Sequence, residues 1–142
     1  MATFPERLTE LMAEKEIKSR DLAANIGVSN STVADWKRGK FHLFLSNAIK
    51  LADFFECSID YLVGRSNDYS NFSSKPCPSF YPQFIAVMKE CGVSTYRLRL
   101  DSAISGRHLT KWKQGADPLI VTLITAADFL KVTLDHLVGR ED

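Results

Sequence analysis

LAANIGVSNSTVADWKRGK, residues 22–40, is the stretch whose reading decides the fold. Leu22, Ala23 and Ile26 share one face of a short helix expected over Lys18–Ile26. Gly27 stops that helix, because glycine tolerates left-handed backbone. Ser29 fits an N-cap, its hydroxyl accepting from the free N–H groups of the next turn. The next helix is expected from about Asn30 to Lys37, with Val33 and Trp36 inward, and Gly39 ends it. Ala23 is small enough to let the two helices approach, while Val28 and Val33 plug the joint between them. Upstream, Phe4, Leu8, Leu11 and Met12 follow the i, i+4, i+7, i+8 spacing of an amphipathic helix. Downstream, a helix over roughly Ser46–Phe55 is expected to face the core with Ile49, Ala52 and Phe55. Ser58 or Asp60 then opens a short fifth helix that buries Leu62 before Gly64. No segment alternates as a strand would.

The pattern occurs twice. DYLVGR at 60–65 returns as DHLVGR at 135–140, and IKLADF at 49–54 as ITAADF at 124–129, both offset by 75. WKRG at 36–39 returns as WKQG at 112–115, offset by 76. In that second register Ser29 pairs with Ser105, Glu14 with Glu90, Met12 with Met88 and Phe4 with Phe80. One residue is therefore missing from the second copy, between Gly115 and Pro118. The stretch SNDYSNFSSKPCPS is rich in Ser, Asn and Pro and reads as an extended, partly flexible linker. The expected organisation is a domain over 1–65, a linker over 66–79 and a second, divergent domain over 80–142. The expected class is all-α, with five helices per unit.

The 142 residues are 45% hydrophobic, enough to build a core. Lys plus Arg number 18 against 17 Asp plus Glu, a net charge of +1, which excludes a globally basic architectural protein. Local balances differ. Residues 18–40 carry Lys18, Arg20, Lys37, Arg38 and Lys40 against Asp21 and Asp35. Residues 95–113 carry Arg97, Arg99, Arg107, Lys111 and Lys113 against Asp101. Positive charge is thus concentrated on these two matching segments, as phosphate neutralisation requires. The cysteines at 57, 77 and 91 cannot all pair within one chain and read as reduced thiols. The N-terminus lacks the apolar run of a signal peptide, and no stretch approaches the ~20 apolar residues of a membrane span. A cytoplasmic location is expected. His42, His108 and His136 have no metal-ligand spacing. No nucleophile–base pair or Gly-rich phosphate loop suggests an enzyme, and no cofactor or small-molecule ligand is expected.

Two short helices joined by a tight turn, with a small residue in the first, make a helix-turn-helix pattern. Residues 22–40, followed by IKLADFFECSIDYLVG (49–64), resemble the phage-repressor-like (XRE-type) DNA-binding family. LRLDSAISGRHLTKWKQG (98–115) with ITAADFLKVTLDHLVG (124–139) resembles the same family more weakly: Ala103 stands for the turn Gly and Arg99 for the small Ala. The resemblance implies two tandem lambda-repressor-like domains, each with its third helix in the major groove of double-stranded DNA. By position, Asn30, Ser31 and Asp35 would face bases in the first copy, with Ser19 at the start of the second helix. The matching positions in the second copy are Gly106, Arg107, Lys111 and Thr95. His108 falls in the same helix as a candidate phosphate or base contact. Lys37, Arg38, Lys40 and Lys113 are expected on phosphate. The function implied is a transcriptional regulator, most simply a repressor acting by occupancy, with a homodimer left open. The alternative is that only the first domain binds DNA and the second is a dimerisation or partner-docking module.

Overall fold

The computed structural model describes residues 3–40, 42–69, 72 and 74–141. Every regular element among them is an α-helix. The chain divides into two compact units, Met1–Ser73 and Ser74–Asp142.

The first unit contains α1 (Phe4–Glu14), α2 (Ser19–Ile26), α3 (Asn30–Lys37), α4 (Leu45–Phe54) and α5 (Ile59–Leu62). Pro5 opens α1, where its missing N–H costs nothing. Thr3, at the N-cap, donates from Oγ1 to Glu6 Oε1 (3.0 Å). Phe4, Leu8, Leu11 and Met12 form the buried stripe that the periodicity predicts. Leu22, Ala23, Ile26, Val33 and Trp36 are buried as well, and α1 packs on α3. The Phe4 ring stands edge-on to the Trp36 indole at 6.3 Å. One expectation for α4 is corrected: Ala48, Leu51, Ala52 and Phe55 are buried, but Ile49 is only half-buried. The helix starts at Leu45, and its buried residues 48, 51, 52 and 55 keep the 3–4 spacing without residue 49. Ser58, rather than Asp60, caps α5, accepting from Tyr61 N at 2.9 Å. Asp60 is instead buried and ion-paired with Arg65.

The second unit contains α6 (Phe80–Glu90), α7 (Thr95–Asp101), α8 (Gly106–Lys113), α9 (Ile120–Leu130) and α10 (Leu134–Val138). Its core includes Phe84, Val87, Met88, Leu98, Ile104, Leu109, Trp112, Ile120, Leu123, Ala126 and Ala127. Phe84 stands where the first unit has Leu8, so Trp112 meets two rings edge-on, Phe80 at 5.3 Å and Phe84 at 5.4 Å. Asp135 and Arg140 form an ion pair that is 1% and 0% exposed. The closing D-x-L-V-G-R segment therefore packs as a buried charge pair.

The Ser/Asn/Pro-rich stretch is less free than its composition suggests. Ser66 O and the Asn67 side chain accept from Arg7, and Tyr69 stacks on Tyr61 at 4.8 Å. Phe72 N donates to Glu56 O (3.2 Å), and Lys75 N to Arg140 O (3.2 Å). Within it, residues 70, 71 and 73 lie outside the described residues. Cys57 is buried, Cys91 half-buried and Cys77 exposed.

Candidate nucleic-acid interface

In the first unit α2 and α3 are joined as the glycine predicts. Gly27 has φ +88°, and both its N–H and that of Val28 reach Ala23 O, at 2.8 and 3.0 Å. A side chain at that φ is strained, so the turn selects glycine. Ser29 caps α3, accepting from Thr32 N at 3.2 Å. The helix then turns Val33 and Trp36 into the core. Asn30, Ser31, Lys37, Arg38 and Lys40 are exposed, and Ser19 and Asp35 are half-buried.

Some of these candidates are brought together. Lys37 Nζ donates to Ser19 Oγ (3.4 Å), which sets the start of α2 beside the end of α3. Ser31 Oγ lies 3.0 Å from Ser29 Oγ, so it adds to the cap. Asp35 is ion-paired with Arg38 on the next turn. That pairing offsets the repulsion Asp35 would exert on phosphate, and it occupies part of the Arg38 fork. Lys40 lies past Gly39, with its amide donating to Asp35 O (2.9 Å). Asn30 projects from the first position of α3.

The second unit solves the same turn differently. Ala103 cannot supply the left-handed residue, and α7 ends at Asp101, with Ser102 extended at φ −135°. The Ser102 hydroxyl donates to Leu98 O and accepts from Ile104 N (3.2 Å). One side chain thereby does locally what backbone does at Gly27. Ser105 caps α8 with a reciprocal pair of bonds: Ser105 Oγ accepts from His108 N (3.3 Å), and His108 Nδ1 accepts from Ser105 N (3.0 Å). An accepting Nδ1 puts the neutral ring's proton on Nε2. The His108 ring also lies 5.9 Å from the Trp112 ring. Leu109 and Trp112 are buried, while Thr95, Arg107, Lys111 and Lys113 are exposed. Arg107 and Lys111 thus share the outward face of α8, Lys113 is exposed at its last position, and Leu109 and Trp112 face inward.

Three features of α7 escaped the sequence reading. Tyr96 and Leu100, one turn apart, are 63% and 67% exposed. They stand where the first unit has Arg20 and Ala24. Arg99 is exposed and lies across the start of α8: a Cβ on residue 106 would sit 3.1 Å from Arg99 Nη1 and 3.5 Å from its Cδ. The signal was available, since Arg99 for Ala and Gly106 for Asn exchange a large and a small residue at facing positions.

Among the described residues no three His, Cys, Asp or Glu side chains gather as a metal would need. No helix there is long and apolar enough to cross a membrane.

Residues 7–68 match the Cro/C1-type HTH DNA-binding domain family. The match spans α2 and α3 and falls within the first unit, which therefore carries a Cro/C1-type helix-turn-helix domain. A crystal structure of a transcriptional regulator from Listeria innocua is similar to this chain at 23% identity. That similarity covers 90% of this chain and 94% of the other, with a TM-score of 0.43. Comparison with curated proteins returns no match.

Proposed function

We propose that the chain is a transcription regulator that binds double-stranded DNA through both units, as two helix-turn-helix domains in tandem. The observation that carries the reading is the division of α8 into faces. Arg107, Lys111 and Lys113 are exposed on the helix whose other residues Leu109 and Trp112 anchor it in the core. Arg107 and Lys111, four residues apart on one face of a helix anchored in the core, suit phosphate and base edges, and Lys113 adds charge at the helix end. The helix boundaries add support: α6, α7 and α8 begin 76 residues after α1, α2 and α3. The Ser102 hydroxyl ends α7 without a turn glycine, which supports this reading, although α7 and α8 pack less closely than α2 and α3.

In this reading α3 and α8 enter the major groove, and the helix before each crosses the backbone. Asn30 can pair bidentately with adenine, and Arg107 with guanine O6 and N7. Ser19, Ser31 and Thr95 lie at helix starts, where hydroxyls reach phosphate or base. Lys37, Arg38, Lys40, Lys111 and Lys113 supply charge, Asp35 accepts from a cytosine amine, and His108 has Nε2–H to donate. Joining two readers in one chain raises the effective concentration of the second once the first is bound. No bond is made or broken. The simplest output is repression by occupancy, and a homodimer would add further half-sites.

The second reading keeps DNA binding for the first unit and gives the other a protein partner. The exposed Tyr96 and Leu100 favour it. Selecting duplexes from a randomised pool with the full chain, then footprinting them, separates the two. The tandem reading predicts two half-sites that are both needed for full affinity. A single protected half-site bound at full affinity would reject it.

A further inference from the structure

We propose that Arg99 reads a base in place of the side chain that Gly106 lacks. This rests on the reading in which the second unit binds DNA. Gly106 is the first residue of α8, the position held by Asn30 in the first unit. A glycine there has nothing to read with, and position 106 would be mute. The space above it is not empty. Arg99 comes across from α7, and its Nη1 lies 3.1 Å from the point where the Cβ of residue 106 would be. The guanidinium therefore stands where a reading side chain at 106 would project.

The exchange is reciprocal. A residue with a Cβ at 106 would press on the Arg99 side chain, because 3.1 Å is closer than ordinary van der Waals contact. A small residue at 99, such as Ala23 in the first unit, would leave the position over Gly106 vacant. The two departures from the first unit's pattern thus make one device: a reader moved from α8 to α7. Arg99 is exposed and flanked by Tyr96 and Leu100, with Ser105 and Gly106 completing the lining of a shallow depression. The chemistry of the fork sets the target, the O6 and N7 of one guanine.

The test uses the full chain and duplexes it selects from a randomised pool. Arg99→Ala should lower affinity for the selected duplex roughly tenfold or more and flatten the preference at one base pair. Arg99→Lys should keep overall affinity better than Arg99→Ala but lose the same preference, since Lys lacks the planar fork. Gly106→Ala should weaken preference at that same base pair by displacing the guanidinium. In the double variant, Gly106→Ala should cost nothing beyond Arg99→Ala. Arg99 is exposed, so Arg99→Ala and Arg99→Lys should leave the melting temperature at the wild-type value. Arg107→Ala is the control. An effect from Arg107→Ala with none from Arg99→Ala would overturn this inference alone. Silence from both would overturn the DNA reading of the second unit and this inference with it. Equal weakening of all sequences by Arg99→Ala would make Arg99 a phosphate anchor and also overturn it, as would additive effects of the two substitutions.

Discussion

Arg7 lies over the Tyr61 ring, its guanidinium carbon 3.7 Å from the ring centroid, while its Nη1 donates to the Tyr61 carbonyl at 2.9 Å. The side chain is buried and ties α1 to the end of α5 and to Ser66. The second unit places Gln83 at the matching position, donating to His136 O at 3.1 Å. Both units thus satisfy the same carbonyl from the first helix. Arg7→Ala should destabilise the first unit by about 2–3 kcal/mol, the range for a charged hydrogen bond lost to a buried acceptor. Arg7→Gln should recover part of that loss by restoring the bond that Gln83 makes. Urea unfolding followed by Trp36 fluorescence, with Trp112 replaced by Phe, measures both.

The two turns respond oppositely to glycine. Gly27→Ala forces a side chain into φ +88° and should cost about 1–2 kcal/mol. Ala103→Gly should not stabilise the second unit, because residue 103 is not left-handed; the added backbone freedom should cost about 0.5–1 kcal/mol. Ser102→Ala removes two hydrogen bonds and should cost more than Ala103→Gly. Trp112 fluorescence in a Trp36→Phe background reports the last two. Stabilisation by Ala103→Gly would show that the second turn is a strained copy of the first.

Glu16 holds φ +52° where the second unit has Gly92 at φ +70°. Ile17 N still closes onto Met12 O at 3.0 Å, as Val93 N does onto Met88 O at 3.0 Å. Glu16→Gly should therefore stabilise the first unit by up to about 1 kcal/mol by relieving the left-handed side chain. A lower unfolding midpoint for this variant would contradict that reading.

Much of the fold was legible because apolar spacing, glycine and serine signal locally. The α1 stripe, the Ser29 cap and the bounds of α3 all follow from residues within one or two turns of each other. What was hidden depends on distant partners. Arg7 looks like an ordinary surface arginine until Tyr61 and Ser66 are folded against it. Asp60 reads as a candidate start of α5, and its burial against the half-buried Arg65 shows only in the fold. At the candidate interface, exposure could be read from helical phase, but pairing could not. Asp35 with Arg38, His108 with Ser105, and Arg99 over Gly106 are choices of rotamer. Ser102 is silent in the sequence because the first unit's pattern places the turn residue at 103, and here the turn is made one residue earlier.

Phosphate contacts and base contacts should separate in a salt series. Lys40 is exposed beyond the end of α3, so Lys40→Ala should weaken binding to all sequences alike and flatten the salt dependence by roughly one unit of slope. Arg107, second in α8, should instead cost about 1–3 kcal/mol on the selected duplex and relax the preference at one base pair when changed to Ala. Fluorescence anisotropy on matched and shuffled duplexes distinguishes the two. The reverse assignment would mean that the recognition helix is wrongly placed.

Whether both units grip DNA is read from the salt slope of the full chain with Arg107, Lys111 and Lys113 all changed to Ala. These three residues are exposed on α8, so folding should be retained. If the second unit neutralises phosphate, the slope of log K against log salt should fall by roughly one to three units, and affinity at low salt should drop. A slope and affinity equal to those of the wild-type chain would contradict the tandem account and leave DNA binding to the first unit alone.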